Sequence, residues 1–240
     1  AFNHLSFTSH HRNVLAVKED GIQIVDTPVY KPEQSMEKLN AKILLGADGA
    51  ISSDARFEFS GGQYDSNLRL LGLKNDEIQE TLKNRHYNLK INELKVNNLK
   101  NDRDEGKIGY DLSLKANGFS KKIGNDLFFP VMPFYEAVMF SSNDERKLPF
   151  EKSFPFQDDY EIEYSIPVGY TFAEIPKSSS ITTEFGSYTI DFTPKDGKLM
   201  VKRVLTINKG LYPKEKYKDY LAFRKQTASR DNTKILLTKL

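Results

Sequence analysis

Tyr160-Glu161-Ile162-Glu163-Tyr164-Ser165-Ile166 places an aromatic or branched aliphatic side chain at every second position and a polar one between them. Successive side chains of a strand point to opposite faces, so this run predicts a strand with one face in a core and the other in water. Gly186-Ser187-Tyr188-Thr189-Ile190-Asp191-Phe192 repeats the pattern, and a turn at residues 194–197 leads into a further apolar run at 199–207. Upstream, residues 107–115 alternate Ile108, Tyr110, Leu112 and Leu114 with Gly109, Asp111, Ser113 and Lys115. A chain organised by such runs reads as mainly β, an antiparallel β-sandwich of two sheets.

Working outward, residues 14–17 and 22–25 are two short apolar runs about Lys18-Glu19-Asp20-Gly21, which predicts a hairpin. Thr27-Pro28 and Lys31-Pro32 then deny a central strand and read as a linker. A second hairpin is expected over 39–45 and 51–59, across Ala47-Asp48-Gly49, with Arg56 and Glu58 alternating against Phe57 and Phe59. Tyr64, Leu68 and Leu71 recur at helical spacing, and Asn75 or Asp76 is placed to cap a helix running through Ile78 and Leu82 to about residue 85. A short strand is expected at 127–132, a helix at 214–228 behind Pro213, and a last strand at 234–238. Residues 143–157, charged, proline-bearing and rich in Phe, read as a surface loop pinned by Phe150, Phe154 and Phe156. The expected organisation is therefore a hairpin and linker over residues 1–35, trailing an upstream domain, and a large sandwich over 36–240 with one to three peripheral helices. A subdivision near residue 157 is the alternative.

Composition narrows the function. The 35 basic and 33 acidic side chains leave a net charge of +2, so no overall field exists to hold nucleic acid. With no cysteine, disulfides, thiolate metal sites and cysteine nucleophiles are all excluded. No apolar run reaches the ~18 residues of a membrane span, and no signal peptide opens the chain, which starts at Ala1 and reads as a piece of a longer protein.

A hydrolytic triad needs a nucleophile, a base and a group that orients the base. The four histidines are His4, His10, His11 and His86, and no serine occupies a Gly-x-Ser-x-Gly turn. His4, His10 and His11 crowd together, but adjacent histidines on an extended chain point apart, so exposed loop histidines are expected rather than a metal site. Asp158, Asp159, Glu161 and Glu163 offer paired carboxylates of the kind glycoside hydrolysis uses, yet Glu161 and Glu163 lie opposite Tyr160 and Tyr164, on the solvated face. Asn101-Asp102-Arg103-Asp104-Glu105-Gly106 has the composition of a calcium loop without its ligand order, and reads as a polar turn. Most tyrosines fall at positions that should face the core, which weakens a sugar-stacking platform and leaves carbohydrate binding as the competing function. No catalytic, cofactor or metal residue is assigned, and Arg69, Arg203 and Tyr188 are taken as surface residues without a role.

Residues 160–170, Ile175-Pro176, Glu184-Phe185-Gly186-Ser187-Tyr188 and Leu211-Tyr212-Pro213 with Tyr217 and Tyr220 together resemble the C-terminal domain of unknown function that follows a transglutaminase-like core in exported Bacteroidetes-type proteins. Arg12-Asn13-Val14-Leu15, Asp20-Gly21 and Thr27-Pro28 are similar to the stretch just after that core; Asp48-Gly49, Gly61-Gly62 and Arg69 are similar to its following hairpin. The resemblance implies a parent with a Cys-His-Asp triad in its middle domain, none of which maps onto this cysteine-free chain. It implies a periplasmic or cell-surface location, the upstream transglutaminase-like domain as partner, and an accessory role without catalysis or cofactor.

Overall fold

The computed structural model describes residues 4–6, 9–10, 12–135 and 146–240. Strands β1 (Asn13–Lys18) and β2 (Gly21–Asp26) form a separate antiparallel ribbon. β3 (Met36–Leu45) and β4 (Ile51–Ser60) make the second hairpin; α1 (Gly62–Asn67), a 3-10 turn at Leu68–Gly72 and α2 (Asn75–Arg85) follow. Then come β5 (Lys90–Asp102), β6 (Lys107–Asn117), β7 (Lys121–Ile123), β8 (Asp126–Pro130), β9 (Phe150–Lys152) and β10 (Phe156–Ser165). The chain ends with β11 (Tyr170–Glu174), β12 (Ser179–Thr183), β13 (Gly186–Lys195), β14 (Lys198–Ile207), β15 (Gly210–Tyr212), α3 (Tyr217–Asp231) and β16 (Lys234–Lys239).

Eight strands form one sheet in the order β12-β13-β14-β10-β3-β4-β6-β5. Its inner face is the apolar parity of every strand: Leu39, Ala41 and Ile43 on β3, Phe57 and Phe59 on β4, Ile108, Tyr110, Leu112 and Leu114 on β6, Tyr160, Ile162 and Tyr164 on β10, and Leu199, Val201 and Leu205 on β14 are all buried. The second layer is a four-stranded sheet, β11-β16-β8-β7, together with helices. Phe129 of β8 packs on Tyr164 with ring centroids 5.0 Å apart, and the Tyr164 hydroxyl donates to the Val131 carbonyl at 3.0 Å. The architecture is thus mainly β and two-layered, consistent with a sandwich.

Every pair in the large sheet is antiparallel except one: β10 runs parallel to β3, in register from Gln157↔Met36 to Ser165↔Leu44. That junction aligns Asp158 with Glu37 on neighbouring strands. Strand β5 departs from the sequence expectation, which left residues 90–100 without an element and began the polar turn at Asn101. It is a polar edge strand broken by irregularities at Ile91/Glu93 and Asn97/Lys100, with Asn98 at φ 52°; bulges and lysines on an edge erase the alternation that reveals inner strands. Short strands β9, β11 and β12 were unforeseen for a similar reason, being three to five residues long. Of the loop expected at 143–157, residues 143–145 lie outside the described part; Phe150 is buried in β9, and Phe156 opens β10. Helix α2 starts behind Lys74, whose backbone N–H is capped by the Glu77 carboxylate at 2.8 Å, rather than behind Asn75 or Asp76.

Candidate functional site

Where α1 and the end of α2 lie against the inner face of β3, β4 and β10, they hold open a cleft of about 670 Å³. The sheet contributes Phe57, Phe59, Glu37, Asp158 and Tyr160; the helices contribute Gln63, Ser66, Asn67 and Arg85, with His86 at the α2 terminus and Arg69 on the connecting turn. Phe134, Tyr135 and Phe154 close its side. A groove of about 560 Å³ also marks the outer face, around Arg56, Asp111 and Lys107. There Arg56, largely exposed, is already held by Asp111 at 2.7 Å, so the inner cleft is the more selective environment.

The inner site rests on a buried charge network. Arg203, fully buried on β14, directs Nε and Nη2 to the Asp231 carboxylate of α3 at 3.1 and 3.0 Å and Nη1 to Asp158 at 3.3 Å. Three rings face its guanidinium, those of Tyr135 at 4.4 Å, Tyr160 at 5.0 Å and Tyr188 at 5.7 Å from their centroids. The Tyr188 hydroxyl donates to Asp231 at 2.8 Å. Burial by itself would lower the Arg203 pKa, but Asp231 and Asp158 more than offset it and hold the group well above its ordinary value. Arg203 is therefore a permanent cation that fixes two carboxylates and ties α3 to the sheet.

Glu37 occupies the next strand. It accepts from the Tyr160 hydroxyl at 2.8 Å. Burial, and then repulsion from Asp158, push its pKa up to about 7, so near neutrality it is part-protonated. Gln63 Nε2 donates to Asp158 at 3.0 Å. Burial raises the Asp158 pKa as well, against the pull of Arg203. On the helical side, Arg85 Nη1 donates to Asn67 Oδ1 at 2.9 Å and to the Tyr110 hydroxyl at 3.2 Å. His86, 3% exposed, packs on Phe57 and Phe134 with centroids 5.8 and 5.4 Å away. Its Nε2 has no hydrogen-bond partner. Burial, reinforced by Arg85, lowers its pKa to about 4 and keeps the ring neutral.

The structure corrects two sequence expectations, for Arg203 with Tyr188 and for the histidines, and agrees with a third, that Glu161 and Glu163 lie opposite Tyr160 and Tyr164. Arg203 and Tyr188 are not surface residues: both have the inward parity of their strands, shared with Val201 and Ile190, and are fully buried. The acidic cluster divides by the same parity. Glu161 is exposed and Glu163 pairs with Lys198 at 2.8 Å on the outer face, whereas Asp158 is buried in the cleft. His4 and His10 are not exposed loop histidines either. His4 Nε2 meets Asp65 at 2.8 Å, and His10 Nε2 accepts from the Tyr30 N–H at 2.7 Å while stacking on the Tyr30 ring at 5.4 Å. Aromatic neighbours bury them, and no local pattern announces those neighbours. His11 lies outside the described residues. Among the described residues no group of three or more His, Asp or Glu is arranged to hold a metal, and no helix is long and apolar enough to cross a membrane. The 101–106 turn is closed by Asp102 Oδ1, which accepts from the N–H groups of Asp104 and Glu105.

Glu37, Arg85 and His86 went unassigned in the sequence reading. Glu37 shares inward parity with Leu39 and Ala41, so extending that strand two residues would have exposed a carboxylate aimed at the core.

Comparison with known proteins adds one result. Residues 125–237 match the family model of a domain of unknown function with solved structure, DUF3858. No curated protein matches the chain. The DUF3858 match takes in Asp158, Arg203, Tyr188 and Asp231, whereas Glu37, Gln63, Arg85 and His86 lie upstream of it, so the cleft is assembled across the edge of the matched segment.

Proposed function

We propose that the chain is a non-catalytic accessory module of a larger exported protein, packing against a transglutaminase-like domain of the same polypeptide. One surface carries this reading. The β1–β2 ribbon belongs to neither layer of the sandwich, and its register sets Leu15 opposite Ile24 and Val17 opposite Ile22 on one face. These four aliphatic side chains are 68, 69, 80 and 70% exposed, respectively. A two-stranded ribbon has little stability by itself, and a contiguous exposed apolar face is the usual mark of a contact surface. The ribbon is anchored at its base by Thr27, whose N–H donates to the Arg12 carbonyl at 2.8 Å and whose hydroxyl donates to the Ser9 carbonyl at 2.7 Å. The resemblance of residues 12–28 to the stretch after a transglutaminase-like core supplies the identity of the partner.

The test is calorimetric titration of this chain against the separately purified transglutaminase-like domain of its parent, with a glycan panel in parallel. Saturable binding to the domain is expected, weakened roughly tenfold or more by combining Leu15→Ser with Ile24→Ser, because exposed positions can lose apolar area without unfolding the module. A blank titration against the domain overturns the proposal, and saturable glycan binding in its place establishes the carbohydrate-binding reading instead.

A further inference from the structure

The cleft between the helices and the large sheet is separate from the ribbon, and its remaining bonding capacity identifies what it takes. Most of its neutral polar groups are already spent inside the protein. Asn67 Nδ2 donates to the Gln63 carbonyl at 2.9 Å while its Oδ1 receives Arg85. Ser66 Oγ donates to the same carbonyl at 2.8 Å. Gln63 is committed to Asp158, and the Tyr160 hydroxyl to Glu37. A hydroxyl-rich sugar would find few open partners here.

What stays available is cationic or hydrogen-donating. Arg85 uses only Nη1, on two neutral oxygens, and forms no ion pair among the described residues. Arg69, exposed at the rim, forms none either. His86 Nε2 is a buried polar atom with no partner, and a buried donor or acceptor left unmade costs about 1–3 kcal/mol. The acidic groups facing this corner are already engaged: Asp158 accepts from Arg203, which it shares with Asp231, and from Gln63, and Glu37 accepts from Tyr160 and holds its proton up to about pH 7. The walls beyond these groups are phenylalanine rings.

We infer that the cleft binds an organic carboxylate with an apolar body, the C-terminal residue of a peptide, its carboxylate on Arg85 and the His86 Nε2–H tautomer and its side chain against the phenylalanine wall. Arg–carboxylate pairing in a partly enclosed site is strong and directional, and the planar guanidinium has unused N–H groups to form it. Arg69 reinforces the site from the rim, where solvent weakens its contribution.

The experiment is titration of the full chain with N-acetyl-L-phenylalanine, N-acetyl-L-leucine and N-acetyl-L-alanine, each beside its C-terminal amide, and with glucuronic acid. The carboxylates are expected to bind at least roughly tenfold tighter than the amides, with phenylalanine or leucine preferred to alanine. Arg85→Gln removes that preference, and because this substitution also disturbs the bonds to Asn67 and Tyr110, Arg69→Gln at the exposed rim serves as the second variant, expected to weaken binding about threefold with the fold intact. Equal binding of acid and amide, binding of glucuronic acid alone, or no binding to any probe overturns the inference. The outcome is independent of the ribbon: its Leu15→Ser, Ile24→Ser variant is expected to bind the acetylated amino acids like the unsubstituted chain.

Discussion

Two carboxylates are placed side by side on the inner face of the sheet, and the protein treats them differently. Asp158 receives an arginine and an amide donor, while Glu37 receives a tyrosine hydroxyl and remains close to its own pKa at neutrality. Because the folded-state pKa of Glu37 is raised, from 4.5 to about 7, the native state binds a proton that the unfolded chain has released over that interval. Stability therefore falls as pH rises from about 4.5 to about 7 and levels off above it. Glu37→Gln keeps an acceptor for the Tyr160 hydroxyl and removes the charge. It is expected to match the unsubstituted chain near pH 4 and to exceed it by about 1–3 kcal/mol at pH 8, read from urea unfolding at both pH values. Failure of that gap to open with pH would show that Glu37 ionises freely. Asp158 and Arg203 were within reach of the sequence as inward-facing charges, since each shares the parity of its apolar neighbours; that they meet each other, Asp231 and three tyrosine rings was not, because Asp231, Tyr135 and Tyr188 come from three other segments of the chain.

At the scale of the element, the strands answer to local rules and their ends to backbone geometry. Strand β13 begins at Gly186, which holds φ +148° and lies so close to β14 that a Cβ there would come within 1.9 Å of the Thr206 carbonyl oxygen. The β13–β14 turn instead uses Asp196 at φ 51° and Gly197 at φ 71°, in open space. Gly186→Ala is accordingly expected to destabilise the fold by about 3 kcal/mol or more, and Gly197→Ala by only about 1 kcal/mol, in chemical denaturation. Comparable losses at the two positions would mean that conformation alone, and not the close approach of β14, sets the cost. Both glycines were legible as turn or strand-end residues from their surroundings. Their unequal importance was not, because it depends on which carbonyl faces each one across the sheet.

The whole molecule is held together by a junction that lies across the boundary of the DUF3858 match. The matched segment supplies β10, β13 and β14, but β10 completes its ladder on β3, which lies outside the segment, through a parallel register spanning Gln157 to Ser165. Residues 125–237 produced alone would expose that ladder as a raw edge and remove the floor beneath Asp158. The isolated segment is expected to self-associate or to lack a cooperative unfolding transition, whereas the full chain unfolds cooperatively; size-exclusion chromatography and urea titration distinguish the two cases. A monomeric, cooperatively folding segment would show that the junction adds little. The amino-acid order by itself determined the β class, the two hairpins, the helices near residues 64–85 and 214–228, and which face of each inner strand is buried, because period and turn chemistry act over a few residues. Only the tertiary structure decided that β10 runs parallel to β3, that Glu37 therefore sits beside Asp158, and that Arg85 and His86 close over them. Pairing between strands more than a hundred residues apart is chosen by the fit of whole faces, and no local signal carries that choice.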